Sequence, residues 1–200
     1  GNIFASSFGN DSKKIIVCRD GRLSSPDLVE SLKKGLLESG AEVIDIGLGP
    51  SPMLYYAANH LKSDGAIMVT GSHNPSNHNG FKIMKGTVPF FGDDISDIGL
   101  RGLNSDWSYS LGSSKNYYIE DEYIKTLLES TKINNLKKNI KVVWDPGNGA
   151  AGDIIKKLVG CLPGEHILIN EDIDGSFPAH HPDPTDPKNL EELISIVKNN

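Results

Sequence analysis

The chain has 200 residues, of which 38% are hydrophobic and 23% charged, a composition typical of a globular protein with one large or two small domains. Twenty Lys and Arg residues against 26 Asp and Glu residues give a formal net charge of −6, and the absence of a basic run argues against a nucleic-acid partner. No apolar run reaches membrane-spanning length, so no membrane partner is expected. Cys18 and Cys161 form neither a disulfide framework nor a zinc spacing, which predicts a cytoplasmic protein.

Apolar segments of strand length alternate with segments of helical period, and this alternation predicts an α/β fold. The first ten residues carry apolar side chains on one helical face. The predicted strands cover residues 14–18, 42–46, 65–70, 81–84, 140–145 and 166–169. The predicted helices run from Ser24 or Ser25 to Gly40 and over residues 53–61, 118–133, 153–162 and 190–197. The polar stretch 104–116 is predicted to be a loop.

A second polar stretch, NNLKKNIK at residues 134–141, predicts a domain boundary. The first domain is predicted to span residues 1–137 and the second residues 138–200. The first residues suggest a helix without its preceding strand, and the last helix has no strand after it. We therefore expect the chain to be a fragment of a longer protein.

The segment GNGAAG, residues 147–152, matches the G-x-G-x-x-G pattern of dinucleotide-binding proteins. Glu171 lies roughly 20 residues further on, where such sites place an acid for the ribose. However, the segment leads into a Pro-rich loop rather than into further β-α-β units. A glycine-dependent turn that begins a helix is therefore the favoured interpretation.

The segment HHPDP offers His180, His181 and Asp183 as candidate metal ligands. Adjacent histidines between prolines are equally typical of a structured connector, and no third spaced ligand is obvious. The connector is the favoured interpretation.

The segment CRDGR places Arg19, Asp20 and Arg22 on a turn between a strand and a helix. Guanidinium groups bind phosphate well, so the turn is a candidate anion site. The alternative is an Arg–Asp pair that only orders the turn.

The most informative stretch is VTGSHNPSNHNGFKI, residues 69–83, which follows a predicted buried strand. Parallel α/β sheets bind ligands at the carboxyl ends of their strands. Ser72 and His73 are neighbours in sequence, so their side chains diverge, and no G-x-S-x-G elbow surrounds the serine, which argues against a hydrolase. Ser72, His73 and Lys82 at one strand end instead suit phosphoryl transfer, in which a serine carries the group and cations stabilise its charge.

This stretch resembles the phosphoserine motif of the α-D-phosphohexomutases, T-[AG]-S-H-N-P followed by N-G-x-K, which reads TGSHNP at residues 70–75 and NGFK at 79–82. The form with Gly71 is more similar to the phosphomannomutase/phosphoglucomutase branch than to the phosphoglucosamine mutases. Further segments resemble family motifs in the same order: CRDGRLSSP, GLGPSPMLYYA, DPGNGAAG and DGSFPAHHPDP. The resemblance implies mixed sheets sandwiched by helices, with domain 1 and part of domain 2 in this chain.

The resemblance also implies an activity, the interconversion of hexose 1-phosphate and hexose 6-phosphate for mannose, glucose or both. Ser72 would carry the phosphoryl group, and a hexose 1,6-bisphosphate would be the intermediate and activator. His73 and Lys82 are the implied residues for proton exchange and charge stabilisation. Asn74, which shapes the loop, and Arg22 are the predicted substrate-binding residues.

The family binds Mg²⁺ through a DGDGDR loop together with the phosphate on the serine. That loop does not occur in the 200 residues, so Ser72, through its phosphate, is the one metal ligand predicted here, and the others are expected after Asn200. We therefore expect the chain alone to be nearly inactive. Two alternatives stay open: a phosphoglucosamine mutase, and an α/β binding module that has lost catalysis.

Overall fold

A computed structural model describes residues 1–9, 13–130 and 140–200 of the chain. The chain divides into two compact units. The first consists of Gly1–Arg19, Ser24–Thr70 and Gly80–Tyr118, and the second of Asp20–Leu23, Gly71–Asn79 and Ile119–Asn200. The predicted domain boundary after residue 137 lies outside the described residues. None of the helices in the described ranges has the length and apolar character needed to cross a membrane.

The first unit contains a six-stranded mixed sheet with the strand order β5-β4-β3-β1-β2-β6. Its strands are β1 (Lys13–Arg19), β2 (Ala41–Leu48), β3 (Gly65–Val69), β4 (Phe81–Lys85), β5 (Val88–Phe90) and β6 (Ser113–Asn116). Strand β4 pairs antiparallel with β3 and β5, and the other neighbouring strands pair in parallel. The predicted α/β fold with a mixed sheet is confirmed.

Helices cover both faces of this sheet. They are α1 (Asn2–Ser6), α2 (Ser25–Glu38), α3 (Ser51–His60) and α4 (Asp93–Leu103). Ile15 and Val17 of β1 pack with Leu36 of α2 in one buried apolar cluster. Because side chains alternate along a strand, the buried Ile16 and Cys18 point to the opposite face, and α3 packs against β1 and β3. The predicted arrangement of a sheet between helices is therefore confirmed.

Three elements of the first unit were not predicted. Strand β5 has only three residues, too few to show a period, and α4 contains no fully buried residue, although its Ile98 packs against the apolar cluster. Strand β6 lies in the stretch that was predicted to be a loop, and that prediction is wrong for its four residues. All four are exposed, and they pair with β2 at the edge of the sheet, so the strand lacks an apolar face.

The second unit contains the parallel pair β7 (Lys141–Trp144) and β8 (Glu165–Leu168). Its helices are α5 (Glu120–Ser130), α6 (Gly152–Val159) and α7 (Glu191–Asn199), and a short 3₁₀ helix spans Pro187–Leu190. Helix α5, which the sequence analysis assigned to the first domain, groups with this unit, and Lys157 Nζ lies 3.0 Å from Glu120 Oε1. Residues 131–133 of the predicted helix lie outside the described residues.

The GNGAAG segment forms the turn between β7 and α6. Gly147 has a φ of +57°, a conformation that favours glycine. Gly152 is the first residue of α6, and a Cβ at this position would overlap the carbonyl oxygen of Glu171 and lie 3.1 Å from its carbonyl carbon. Both glycines therefore serve the backbone of the turn and its packing.

Gly152→Ala is expected to lower the free energy of unfolding by about 3 kcal/mol, because the added methyl group meets a backbone carbonyl that has no rotamer to change. Urea denaturation followed by circular dichroism measures the change. Gly160→Ala is the matched control in the same unit, since its Cβ would lie 3.4 Å from the nearest atom and its φ is −62°. Equal stability of the two variants would contradict the packing described for Gly152.

Candidate functional site

The candidate site is the Ser72 loop, residues 71–79, which follows the fully buried strand β3. Ser72 is half-buried and has a φ of +52°. This left-handed conformation costs a non-glycine residue about 1–2 kcal/mol, and such residues are concentrated at functional sites. The predicted phosphate carrier is therefore held in an unfavourable backbone conformation by its surroundings.

Arg22 supplies much of that surrounding structure. Its side chain is fully buried, and its guanidinium donates hydrogen bonds to four backbone carbonyls of the Ser72 loop. The distances are 2.6 Å to Pro75, 2.8 Å to Ser72 and Asn74, and 3.0 Å to His78. One side chain thus fixes both halves of the loop.

Asp20 completes the bonding of Arg22 and extends it to the start of the loop. Its carboxylate accepts from Arg22 Nε at 3.1 Å and from the Arg22 amide at 3.0 Å. It also accepts from the Gly71 amide at 3.2 Å. Because Asp20 is itself largely buried, the two opposite charges compensate each other away from water.

Gly71 makes room for the guanidinium, Gly175 makes room for the backbone of residues 21–23, and the ring of Phe177 covers the guanidinium. A Cβ on Gly71 would lie 2.5 Å from Arg22 Cζ, so the loop can approach the guanidinium only with glycine at this position. A Cβ on Gly175 would lie 2.8 Å from Arg22 Cα and 2.7 Å from the Leu23 amide nitrogen. The ring of Phe177 lies over the guanidinium, 5.0 Å from Cζ to the ring centroid, and Phe177 also has a positive φ of +54°.

His73 is exposed, and its Nδ1 lies 3.3 Å from the backbone oxygen of Pro182. A carbonyl oxygen only accepts hydrogen bonds, so Nδ1 donates in this contact, and Nε2 is the ring nitrogen that can take up or release a proton. The pKa of Asp183 is held below its ordinary value mainly by hydrogen bonds that its carboxylate accepts from Thr185, first from the hydroxyl and second from the backbone amide. Positive charge on His73 and on His181 lowers the same pKa. His73 is therefore oriented by the HHPDP segment and lies close to a carboxylate.

Asn74 is exposed, and its backbone N–H donates a hydrogen bond to the backbone oxygen of Gly71 at 3.0 Å, which closes a turn around Ser72. Its predicted contact with substrate stays a prediction. Lys82 belongs to the first unit, where it is exposed on β4 and pairs with Met68 of β3. Its predicted role in phosphoryl transfer also stays a prediction.

The structure gives Arg22 a role that differs from the predicted anion contact. A guanidinium has five N–H donors, and the four loop carbonyls and Asp20 occupy all five. A substrate phosphate could bind Arg22 only in place of one of these bonds. The contacts agree better with the alternative interpretation, in which an Arg–Asp pair orders the turn. The same pair also orders the Ser72 loop.

The predicted connector role of HHPDP agrees with the contacts of its first histidine. His180 Nε2 lies 3.1 Å from the buried carboxylate of Asp145, and His180 Nδ1 lies 2.9 Å from His181 O. Among the described residues, no group of three or more His, Cys, Asp or Glu side chains could hold a metal ion.

Sequence reasoning missed the positioning contacts of Pro182, Gly175 and Phe177. Each lies about a hundred residues or more from the group it touches, and no local pattern marks such a contact. Only the segment DGSFPAHHPDP as a whole gave a signal, since it matches a family motif.

Comparison with protein families gives two consecutive matches. The phosphoglucomutase/phosphomannomutase alpha/beta/alpha domain I matches residues 1–99, and domain II of the same family matches residues 121–200. Together the two domains account for most of the chain.

Curated relatives agree with these matches. The chain is 44% identical to a phosphomannomutase/phosphoglucomutase of Pseudomonas putida over 196 residues, which cover 98% of this chain and 42% of the relative. It is 38% identical to a phosphoglucomutase of Neisseria meningitidis serogroup B over 189 residues, or 93% of this chain and 40% of the relative. The chain thus spans well under half the length of these relatives.

Solved structures show the same fold. A phosphoglucomutase/phosphomannomutase family protein of Burkholderia thailandensis superposes with a TM-score of 0.88 at 36% identity, covering 100% of this chain and 45% of that structure. A protein of Thermus thermophilus, described as a phosphomannomutase, superposes with a TM-score of 0.80 at 22% identity, covering 98% of this chain and 47% of that structure.

Proposed function

The chain belongs to the phosphoglucomutase/phosphomannomutase family, and from this premise we propose that the protein interconverts hexose 1-phosphate and hexose 6-phosphate with Ser72 as the phosphate carrier. The proposed substrates are phosphates of mannose, glucose or both. The observation that carries the proposal is the conformation of Ser72, a half-buried serine with a φ of +52° in a loop fixed by a buried arginine. Such a loop presents one hydroxyl in a fixed direction, as a carrier of phosphate requires.

In the proposed reaction, the phosphorus–oxygen bond to Ser72 breaks while a new bond forms to a sugar hydroxyl. The hydroxyl proton passes to a base, and the serine oxygen retains the bonding electrons. Return of the other phosphate from the hexose 1,6-bisphosphate to Ser72 restores the enzyme and releases the isomeric monophosphate. Phosphoryl transfer of this kind depends mainly on placement and charge stabilisation.

The proposed base is His73, whose Nδ1 donates to the backbone oxygen of Pro182, so that Nε2 is the nitrogen proposed to accept the proton. Lys82 is proposed to stabilise the charge on the transferred group, and Asn74 to contact the substrate. Mg²⁺ is proposed as a cofactor that neutralises phosphate charge, with the phosphate on Ser72 as the ligand from this chain. The metal-ligand loop of the family does not occur in the 200 residues, so we expect this chain alone to have little activity.

The proposal is tested by an activity assay of the complete gene product in buffer that contains Mg²⁺ and a trace of hexose 1,6-bisphosphate. We expect conversion of glucose 1-phosphate, mannose 1-phosphate or both to the 6-phosphate, measured by ³¹P NMR, and no conversion of glucosamine 1-phosphate. Turnover of glucosamine 1-phosphate alone would favour the phosphoglucosamine mutase alternative. Binding without turnover of any of the three would favour the binding module that has lost catalysis.

A further inference from the structure

The bonding of Arg22 is complete in a way that ordinary salt bridges are not. Each of its five N–H groups has an acceptor at 2.6–3.1 Å, and the side chain is 0% exposed. Four of the acceptors are carbonyls of the Ser72 loop, and one of them belongs to Ser72 itself. The buried guanidinium therefore lies at the centre of the loop and holds its backbone in place.

The direction of these carbonyls matters for a phosphate on Ser72. A phosphoserine carries a charge of about −1.5 to −2 near pH 7, and carbonyl oxygens close to it would repel it. Because the carbonyls of Ser72, Asn74, Pro75 and His78 point at Arg22, their negative ends lie on the guanidinium side of the loop. The same bonds hold Ser72 at its positive φ, so they fix the direction of its side chain.

Other side chains cannot replace this group. The planar guanidinium spreads its five donors over three nitrogen atoms, whereas a lysine ammonium has three donors on one atom. Gly71 leaves space for the plane, and the ring of Phe177 covers one of its faces. The site thus selects the shape of arginine as well as its charge.

We infer that Arg22 is a positioning residue for the phosphoryl transfer at Ser72, acting through the loop backbone and without contact with the substrate. This inference rests on the proposed function. It gives a kinetic expectation, because a residue that positions the carrier affects the chemical step, whereas a residue that binds the substrate affects KM.

The test is Arg22→Lys in the complete gene product, with Arg101→Lys as the matched control. Arg101 forms a surface ion pair with Asp106 at 3.0 Å in the first unit. For Arg22→Lys we expect kcat per folded enzyme to fall by about 100-fold, with KM changed by less than about threefold. We also expect the rate of Ser72 phosphorylation by hexose 1,6-bisphosphate to fall by a similar factor. Arg101→Lys is expected to match the wild type in all three quantities.

Two results would overturn the inference. A kcat and a KM per folded enzyme both equal to those of the wild type would assign Arg22 a role in stability alone, and a raised KM with normal kcat would make it a substrate contact. If Arg22→Lys does not fold, Phe177→Leu decides, because it removes only the ring over the guanidinium: a kcat lower by about tenfold supports the inference, and an unchanged kcat overturns it. Absence of turnover and of phosphoserine in the wild type would instead refute the proposed function.

Discussion

Ser72→Ala is expected to lower the mutase activity of the complete gene product by at least about 10⁴-fold, because the variant has no oxygen to carry the phosphoryl group. Ser76→Ala is the control in the same loop, since Ser76 is exposed and has no proposed role, and it should keep the wild-type activity. The conversion of hexose 1-phosphate to hexose 6-phosphate measures both variants. Substantial activity in Ser72→Ala would show that another group carries the phosphate.

The backbone of Ser72 gives this prediction a second part. Ser72→Gly should be as inactive as Ser72→Ala but more stable than it by about 1 kcal/mol, because glycine adopts the φ of +52° without a steric penalty. Thermal or urea unfolding measures the difference. Equal or lower stability of the glycine variant would contradict the strained conformation of Ser72.

The second large effect concerns stability. Asp20→Ala is expected to lower the free energy of unfolding by about 3–5 kcal/mol, because it leaves the buried charge of Arg22 without its counter-charge and the Gly71 amide without its acceptor. Glu30→Gln is the control, since Glu30 pairs with Lys33 at 3.0 Å but is 73% exposed, and it should change stability by less than about 1 kcal/mol. If Asp20→Ala is as stable as Glu30→Gln, the Asp20–Arg22 pair does not stabilise the protein.

The parts of the fold that the sequence predicted well have local patterns. Strand β3 is an apolar run in which every residue is buried, and α2 combines Pro26 in its first turn with Gly40 at a φ of +79° after its end. Helix α4 has apolar residues at helical spacing, but it also contains Gly99 and Gly102, and its Leu100 and Leu103 are 62% and 85% exposed. Glycine disfavours a helix, so two glycines within eleven residues hide this helix from the local sequence.

In the candidate site, too, the residues within a local sequence pattern were predicted and the long-range contacts were not. Ser72 and His73 were predicted because their motif is a continuous stretch that follows a buried strand. The role of Arg22 in the loop was not predicted, because four of its five acceptors lie 50 to 56 residues further along the chain and are backbone carbonyls, which every residue type provides. Such contacts depend on the tertiary structure, and they do not require particular residue types at the positions whose carbonyls accept the hydrogen bonds, so the sequence does not indicate them.

The central claim is that Ser72 carries phosphate between the two ends of a hexose. The most direct test is to incubate the complete gene product with hexose 1,6-bisphosphate labelled with ³²P and to map the label by proteolysis and mass spectrometry. We expect the label on the peptide that contains Ser72, and its removal by unlabelled hexose monophosphate as fast as the enzyme turns over. Turnover without label on the protein, or label on a different residue, would contradict the account.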